Sequence, residues 1–131
     1  MKNMKKNTAL FWMSSLLLLT GCGKYSSTYT ATLFVHNNFA KKATMHFSTF
    51  KGRMVFKLKC DNEKISYTAT LGAGDAIIYY DYQDEKKVLF QLHEGEEINS
   101  SSEAITSSKV YVIVEFEQEG QNGKIDFNVS L

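Results

Sequence analysis

Apolar and polar residues alternate with a period of two along most of residues 28–131, and this pattern constrains the fold more than any other feature of the chain. It is clearest in residues 54–60 and 65–71, where every second residue is apolar. The chain has no proline, and its alternating stretches are rich in Thr, Val, Ile, Phe and Tyr. Because successive side chains of a strand point to opposite faces, the pattern predicts an all-β fold whose strands bury one face.

Polar turn residues divide these strands into four predicted hairpins. The hairpins pair residues 28–36 with 43–50, 54–60 with 65–71, 75–82 with 86–93, and 110–116 with 125–131. Their turns lie at Asn37-Asn38, Asp61-Asn62-Glu63, Gln83-Asp84-Glu85 and Gly120-Gln121-Asn122-Gly123. Asn-Gly in the last turn is a favoured type I′ dipeptide. The spacing predicts an antiparallel two-sheet β-sandwich, jelly-roll or immunoglobulin-like, of seven or eight strands, with a small barrel as the alternative.

The first 21 residues have the layout of a cleaved secretory signal peptide. Lys2, Lys5 and Lys6 precede an apolar run over residues 9–19 that only two serines interrupt. This run is about half of the roughly 20 residues that a membrane-spanning helix needs, so we do not expect a permanent transmembrane helix.

The junction Leu19-Thr20-Gly21-Cys22 resembles the lipobox of bacterial lipoproteins, in which a leucine and two small residues precede a cysteine. The resemblance implies that Cys22 receives a diacylglyceryl group and becomes the first mature residue. Two acyl chains give stable anchoring, whereas one gives only marginal binding. We therefore expect a signal peptide over 1–21, a lipidated N-terminus and tether over 22–27, and a domain over 28–131. The alternative is an ordinary secreted protein.

This resemblance also implies a location and a membrane partner. The domain would face the outside of the cell from the cell membrane or the outer membrane, held there by its lipid. Removal of residues 1–21 takes away three of the 15 basic residues, so the mature part carries 12 basic and 14 acidic residues, a formal charge of −2. Interspersed charges without a concentrated basic patch do not favour nucleic acid binding.

Lipidation of Cys22 would leave Cys60 as the only thiol, so no intramolecular disulfide is expected. Cys60 falls on the apolar side of its strand, which predicts a buried, unreactive thiol. Residues 109–115 and 120–131 are similar to the closing hairpin of pre-peptidase C-terminal domains. That resemblance implies a β-sandwich accessory module without catalytic residues.

No motif in the sequence indicates catalysis, a metal or a cofactor. His36, His46 and His93 are far apart and lack the spacing of metal ligands. The acidic residues Asp75, Asp81, Asp84 and Glu85 lack the order of a calcium loop, which makes them solvated turn residues in our interpretation. A Gly-x-Ser-x-Gly elbow is absent as well. We therefore expect neither catalytic nor metal-binding residues, and no cofactor.

Two features indicate a binding surface. Tyr79, Tyr80 and Tyr82 accompany Asp81 on one strand, so at least one tyrosine faces outward. Glu94, Glu96 and Glu97 open the long connection 94–108, and such loops often carry binding residues. The other interpretation is sheet packing for the tyrosines and a solvated loop for the acids.

We therefore expect a non-catalytic module that binds an envelope glycan or a surface protein. The alternative is a small hydrolase or metal-dependent enzyme whose site is built from loops. A third hypothesis is that the cleaved signal fragment acts as a peptide signal. The sequence does not indicate an oligomeric state.

Overall fold

A computed structural model describes residues 25–131, which form seven antiparallel β-strands and no helix. The strands are β1 (Thr28–Thr32), β2 (Val35–Phe39), β3 (Lys42–Ala73), β4 (Asp75–Asp81), β5 (Lys87–His93), β6 (Glu97–Ser101) and β7 (Ile105–Ser130). The all-β prediction is confirmed. Within these residues there is no helix with the length and apolarity that crossing a membrane requires. The predicted signal peptide and Cys22 lie outside the described residues.

Two long strands organise the fold. β3 has 32 residues and β7 has 26, and they pair with each other over most of their length. In a front layer, residues 52–61 of β3 pair with residues 106–116 of β7. On the other side of this part of β7 the layer continues with β4 and then β5. In a back layer, residues 120–130 of β7 lie between two other parts of β3, residues 42–50 and 64–73. β2 and β6 flank the back layer, and β1 pairs with residues 49–53.

The polypeptide passes from one layer to the other where the long strands bend. β3 bends at Gly52, whose φ is +118°, and a Cβ there would lie 2.3 Å from the carbonyl oxygen of Thr28. Only glycine tolerates this close approach of β1 together with that backbone angle. β7 bends between Phe116 and Gly120, opposite the same point of β3.

The core lies between the two layers and is rich in aromatic rings. Between ring centroids, Phe47 and Phe116 meet edge to face at 5.3 Å, Phe56 and Phe127 meet at a tilt at 6.0 Å, and Tyr67 stacks on Phe90 at 4.3 Å. Each contact joins a residue of one layer to a residue of the other. Because β5 and β6 each pair with one neighbour among the described strands, the ladder is open, and the predicted β-sandwich is confirmed over the barrel.

The faces that the alternation predicts are also confirmed. The buried side chains include Met54, Phe56, Leu58, Cys60, Ile65, Tyr67, Ala69 and Leu71. Cys60 is 3 % exposed, and its burial raises the pKa of the thiol. This environment agrees with the prediction of an unreactive cysteine.

Two of the four predicted hairpins are wrong. Residues 54–58 pair with 110–114 and residues 65–71 pair with 123–129, so neither the second nor the fourth predicted pair forms. Gly120 and Gly123, which the sequence predicts in a type I′ turn, are instead required for packing against aromatic rings. A Cβ on Gly120 would lie 2.4 Å from the ring of Phe116, and one on Gly123 would lie 2.2 Å from the ring of Phe47. These positions need glycine to make room for rings.

The other two hairpins form, with one shift. β4 pairs with β5 as predicted, and the structure adds a bulge between Ile78 and Tyr79. β1 and β2 both pair with the first part of β3, but the turn lies at Ala40 and Lys41 and not at Asn37-Asn38, which belong to β2.

Candidate functional site

A groove of about 740 Å³ crosses the outer face of the front layer. Its lining includes Arg53 of β3, Glu115 of β7, Ile77 and Tyr79 of β4, and Gln91 and His93 of β5. Four of these residues form one row across the strands, because Arg53 is opposite Glu115, Glu115 is opposite Ile77, and Ile77 is opposite Gln91. The strand register therefore brings together side chains that are far apart in the sequence.

Glu115 is the centre of an ion-pair network in this groove. Its Oε2 lies 3.1 Å from Nζ of Lys86 and 3.5 Å from Nε of Arg53. The same Lys86 ammonium lies 4.2 Å from the ring centroid of Tyr79, within cation–π distance. Two positive groups thus flank one carboxylate beside an aromatic ring, and Ile77, which is 36 % exposed, adds an apolar surface.

His93 and Asp75 form a second polar pair at the end of the groove. The Nδ1 of His93 lies 2.7 Å from Oδ1 of Asp75, and this hydrogen bond raises the pKa of the imidazole. The backbone N–H of His93 donates to Oε1 of Glu96 at 2.6 Å. Both side chains of the pair are exposed, so they are accessible to a ligand.

Of the predicted tyrosine cluster, the structure places only Tyr79 in the groove. Tyr80 and Asp81 are buried, so including them in an exposed binding surface was wrong. Tyr80 points into the core side of β4 and donates its hydroxyl to Glu103 at 2.6 Å. Asp81 accepts from the hydroxyl of Tyr25 at 2.6 Å and from the backbone N–H of Glu85 at 3.1 Å.

Tyr82 is half-buried and, like Tyr80, forms a hydrogen bond with Glu103. Its hydroxyl donates to Oε2 of that carboxylate at 3.1 Å. Both tyrosine hydroxyls lower the pKa of Glu103, that of Tyr80 most strongly. Burial is the main cause that raises the pKa of Tyr80, and the bond to Glu103 adds to it. This cluster fixes the segment between β6 and β7 onto β4.

The predicted acidic residues are exposed at the end of β5. Glu94 and Glu96 belong to the connection between β5 and β6, and Glu97 begins β6 opposite Thr70. Glu96 holds the backbone of His93, which borders the groove. The connection 94–108 is not a long loop, since β6 and the start of β7 lie within it.

Sequence reasoning missed most of the groove. Arg53, Glu115, Gln91 and Ile77 each lie at a polar or outward position of a strand, and nothing local distinguishes them. Only the register between four strands brings them together. The sequence did carry one signal for this groove: Ile77 and Tyr79 are two residues apart, which places both side chains on the same face of β4.

Metal-ligating side chains do not come together within residues 25–131: no group of three His, Cys, Asp or Glu is placed to hold an ion. The three histidines lie apart. His36 stacks on Phe34 at 4.7 Å, His46 is exposed on the back layer, and His93 pairs with Asp75.

No family model matches this chain, and no curated protein matches it. Among solved structures it is similar to a family 29 carbohydrate-binding module complexed with mannohexaose, at 10 % identity, covering 80 % of this chain and 91 % of that chain with a TM-score of 0.42. It is also similar to the Drosophila melanogaster CENP-C cupin domain, at 11 % identity, covering 77 % and 75 % of the two chains with a TM-score of 0.34.

Proposed function

We propose that this chain is a lipid-anchored bacterial surface protein whose β-sandwich is a non-catalytic binding module, and that its groove binds a glycan of the cell envelope. The observation that carries the proposal is the row of side chains across the groove, where Ile77 and Tyr79 lie between polar groups of three other strands. A sugar ring has an apolar C–H face and a rim of hydroxyls. This mixed lining offers a partner to each.

The polar groups of the groove suit hydroxyl recognition. Glu115 accepts, Arg53 donates, and the amide of Gln91 does both. Glu115 is engaged by Arg53 and Lys86, and Asp75 by His93. Carboxylates held in ion pairs present a fixed, preorganised surface, which favours recognition. A hydrolase built on these same acids remains the second candidate, and the Asp75–His93 pair is the observation that favours it.

A glycan array probed with the full chain tests the binding proposal. Wild-type protein should bind at least one envelope polysaccharide, and Tyr79→Ala and Gln91→Ala should weaken that binding about 10-fold or more, as expected for loss of a stacking ring or of a hydrogen-bonding amide. His46→Ala is the matched control, because His46 is exposed on the back layer. Binding that survives both groove substitutions would contradict the proposal.

The hydrolase candidate has its own readout. The glycan that binds is incubated with the protein and examined for shortened or newly reducing products. The binding proposal expects none. Product formation that Asp75→Asn or His93→Ala abolishes would favour the enzyme instead.

The anchor is tested by intact mass after expression in a bacterial host. Lipidated protein should have the mass of a chain that begins at a diacylated Cys22 and should fractionate with membranes. Cys22→Ala should remain uncleaved or leave the membrane fraction. An unlipidated, soluble wild-type product would contradict the anchor. Cys22 and Cys60 would then both be free to form a disulfide, which should be tested.

A further inference from the structure

We propose that one edge of the sandwich lies flat on an anionic lipid bilayer, with Phe39 inserted among the headgroups and neighbouring lysines on their phosphates. This edge, which we call the anchored edge, consists of β2 and residues 55–59 of β3. The inference rests on the lipid anchor proposed above. It adds which surface of the domain meets the membrane.

The chain is fixed to the domain immediately after the proposed lipidation site. The ring of Tyr25 meets Tyr111 edge to face at 5.4 Å, and its hydroxyl bonds to Asp81. The hydroxyl of Ser27 accepts from the backbone N–H of Val55 at 2.9 Å. Three residue steps separate Cys22 from Tyr25, a reach of about 10 Å at full extension. The lipid is therefore held close to the place where Tyr25 contacts the domain.

That place adjoins β2. The side-chain oxygen of Asn38 accepts from the backbone N–H of Lys57 at 2.8 Å, and its amide nitrogen donates to the carbonyl oxygen of Lys57 at 2.9 Å. The backbone N–H of Lys59 donates to the carbonyl oxygen of Ala40 at 2.8 Å. Tyr25, Ser27, Asn38 and Lys57 line one small cavity of about 160 Å³. The start of the described chain and β2 therefore share one edge.

The anchored edge exposes apolar side chains that the core does not use. Phe39 is 62 % exposed and Val35, on the same side of β2, is 66 % exposed. Leu33, just before β2, is 82 % exposed. Aromatic rings are favoured at the membrane–water interface, so an exposed ring on this edge strand suits contact with a bilayer.

The charges at this edge complement an anionic surface. Lys42, Lys57 and Lys59 are exposed. Lys42 pairs with Phe39 across the strands, whereas the backbones of Lys57 and Lys59 bond to Asn38 and Ala40, on either side of Phe39 in the chain. Lys41 forms an ion pair with Glu63, and Asp126, which lines one cavity with Val35 and Lys42, lies 4.0 Å from Nζ of Lys124. Asp61 is a further nearby acid. Exposed lysines beside an apolar side chain are the combination that attracts a domain to anionic phospholipids.

The test places a fluorescent reporter at Phe39 in the lipidated protein. Phe39→Trp is purified with its anchor and reconstituted into vesicles of brominated phosphatidylglycerol and phosphatidylcholine. The bromine atoms should quench the tryptophan by at least about twofold and shift its emission to the blue, as expected for a ring at the headgroup level. Val88→Trp is the matched control, since Val88 is 52 % exposed on β5, the opposite edge of the front layer, and should show neither effect.

Reversing the charge of the lysines distinguishes the proposal for the anchored edge from the proposal for the lipid anchor. The triple substitution of Lys42, Lys57 and Lys59 by glutamate in Phe39→Trp should abolish most of the quenching while the protein stays in the vesicle fraction. Equal quenching of both reporters, or no quenching of a protein whose mass shows the lipid, would overturn the edge proposal and leave the anchor intact. A mass without lipid would overturn the anchor, and the edge proposal with it.

Discussion

The hydroxyl of Tyr25 donates a 2.6 Å hydrogen bond to the carboxylate of Asp81, 56 residues later in the chain. Asp81 is 2 % exposed, and it is the buried charged residue of residues 25–131. The segment that we predict as a tether is thus part of the folded domain from Tyr25 onward. A buried carboxylate needs such partners, because burying it without hydrogen bonds is costly.

Tyr25→Phe should therefore destabilise the domain. It removes the hydroxyl donor but keeps the ring contact with Tyr111, so the expected loss is about 1–3 kcal/mol of unfolding free energy. Urea unfolding of the full chain, followed by circular dichroism, measures it. Tyr29→Phe is the matched control, since the Tyr29 ring is 38 % exposed and stacks on Phe50 through its face. Equal stability of both variants would show that Asp81 does not depend on Tyr25.

Glu103→Gln should make stability less dependent on pH in acid. The folded-state pKa of Glu103 is below its ordinary value of 4.5, mainly because Tyr80 donates to it. Its contribution to stability is therefore present above about pH 4.5 and is lost as the pH falls through the lower folded-state value. The unfolding midpoints of wild type and variant should differ at pH 7 and converge as the pH falls below 4.5. Parallel curves would contradict the assignment. Glu117→Gln, at an exposed position of β7, is the control.

The pKa of His93 should fall when its partner is neutralised. Asp75 raises this pKa above 6.5 through the 2.7 Å hydrogen bond. In Asp75→Asn the imidazole loses the carboxylate that favours its protonated form, so its titration midpoint should move to lower pH. NMR titration of the histidine ring protons measures the change, and the signals of His36 and His46 serve as internal references. A midpoint that stays in place would show that the pair does not form in solution.

Gly123→Ala should destabilise the core. The new methyl group would lie 2.2 Å from the ring of Phe47, which is buried between the layers, so the ring or the strand has to shift. Overpacking of this kind typically costs about 1–3 kcal/mol. Gly72→Ala is the matched control, because its methyl group would meet the side chain of Asn122 at 3.0 Å near the surface. If both variants unfold at the same denaturant concentration, Gly123 is not required by the ring.

The sequence predicted which face of each strand is buried far better than which strands pair. Met54, Phe56, Leu58 and Cys60, and every second residue from Ile65 to Leu71, lie in the core, because burial follows from local alternation. Pairing depends on partners about 50–60 residues away in β7, and no local signal specifies them. The Asn-Gly at 122–123 looked like a turn, but Gly123 is determined by the ring of Phe47.

The candidate site was predictable only in part, for the same reason. Tyr79 could be recognised as an outward tyrosine, whereas its strand neighbours Tyr80 and Asp81 point inward or are covered by Tyr25. Arg53, Glu115 and Gln91 meet because four strands align, and the alignment depends on bends at Gly52 and near Gly120. The pattern of apolar residues does not reveal such bends, because it indicates which face of a strand is buried and not where the strand changes direction.

The pairing of β3 with β7 also has a consequence for how the protein is made. Residues 42–73 cannot complete either layer until residues 105–130 have been synthesised, because β7 supplies the neighbour of β3 in both. Contacts this far apart in sequence form slowly, so the nascent polypeptide stays without stable structure for longer than a chain of local hairpins would. If the chain is exported unfolded, as the proposed signal peptide implies, that delay would keep it able to pass through a narrow channel.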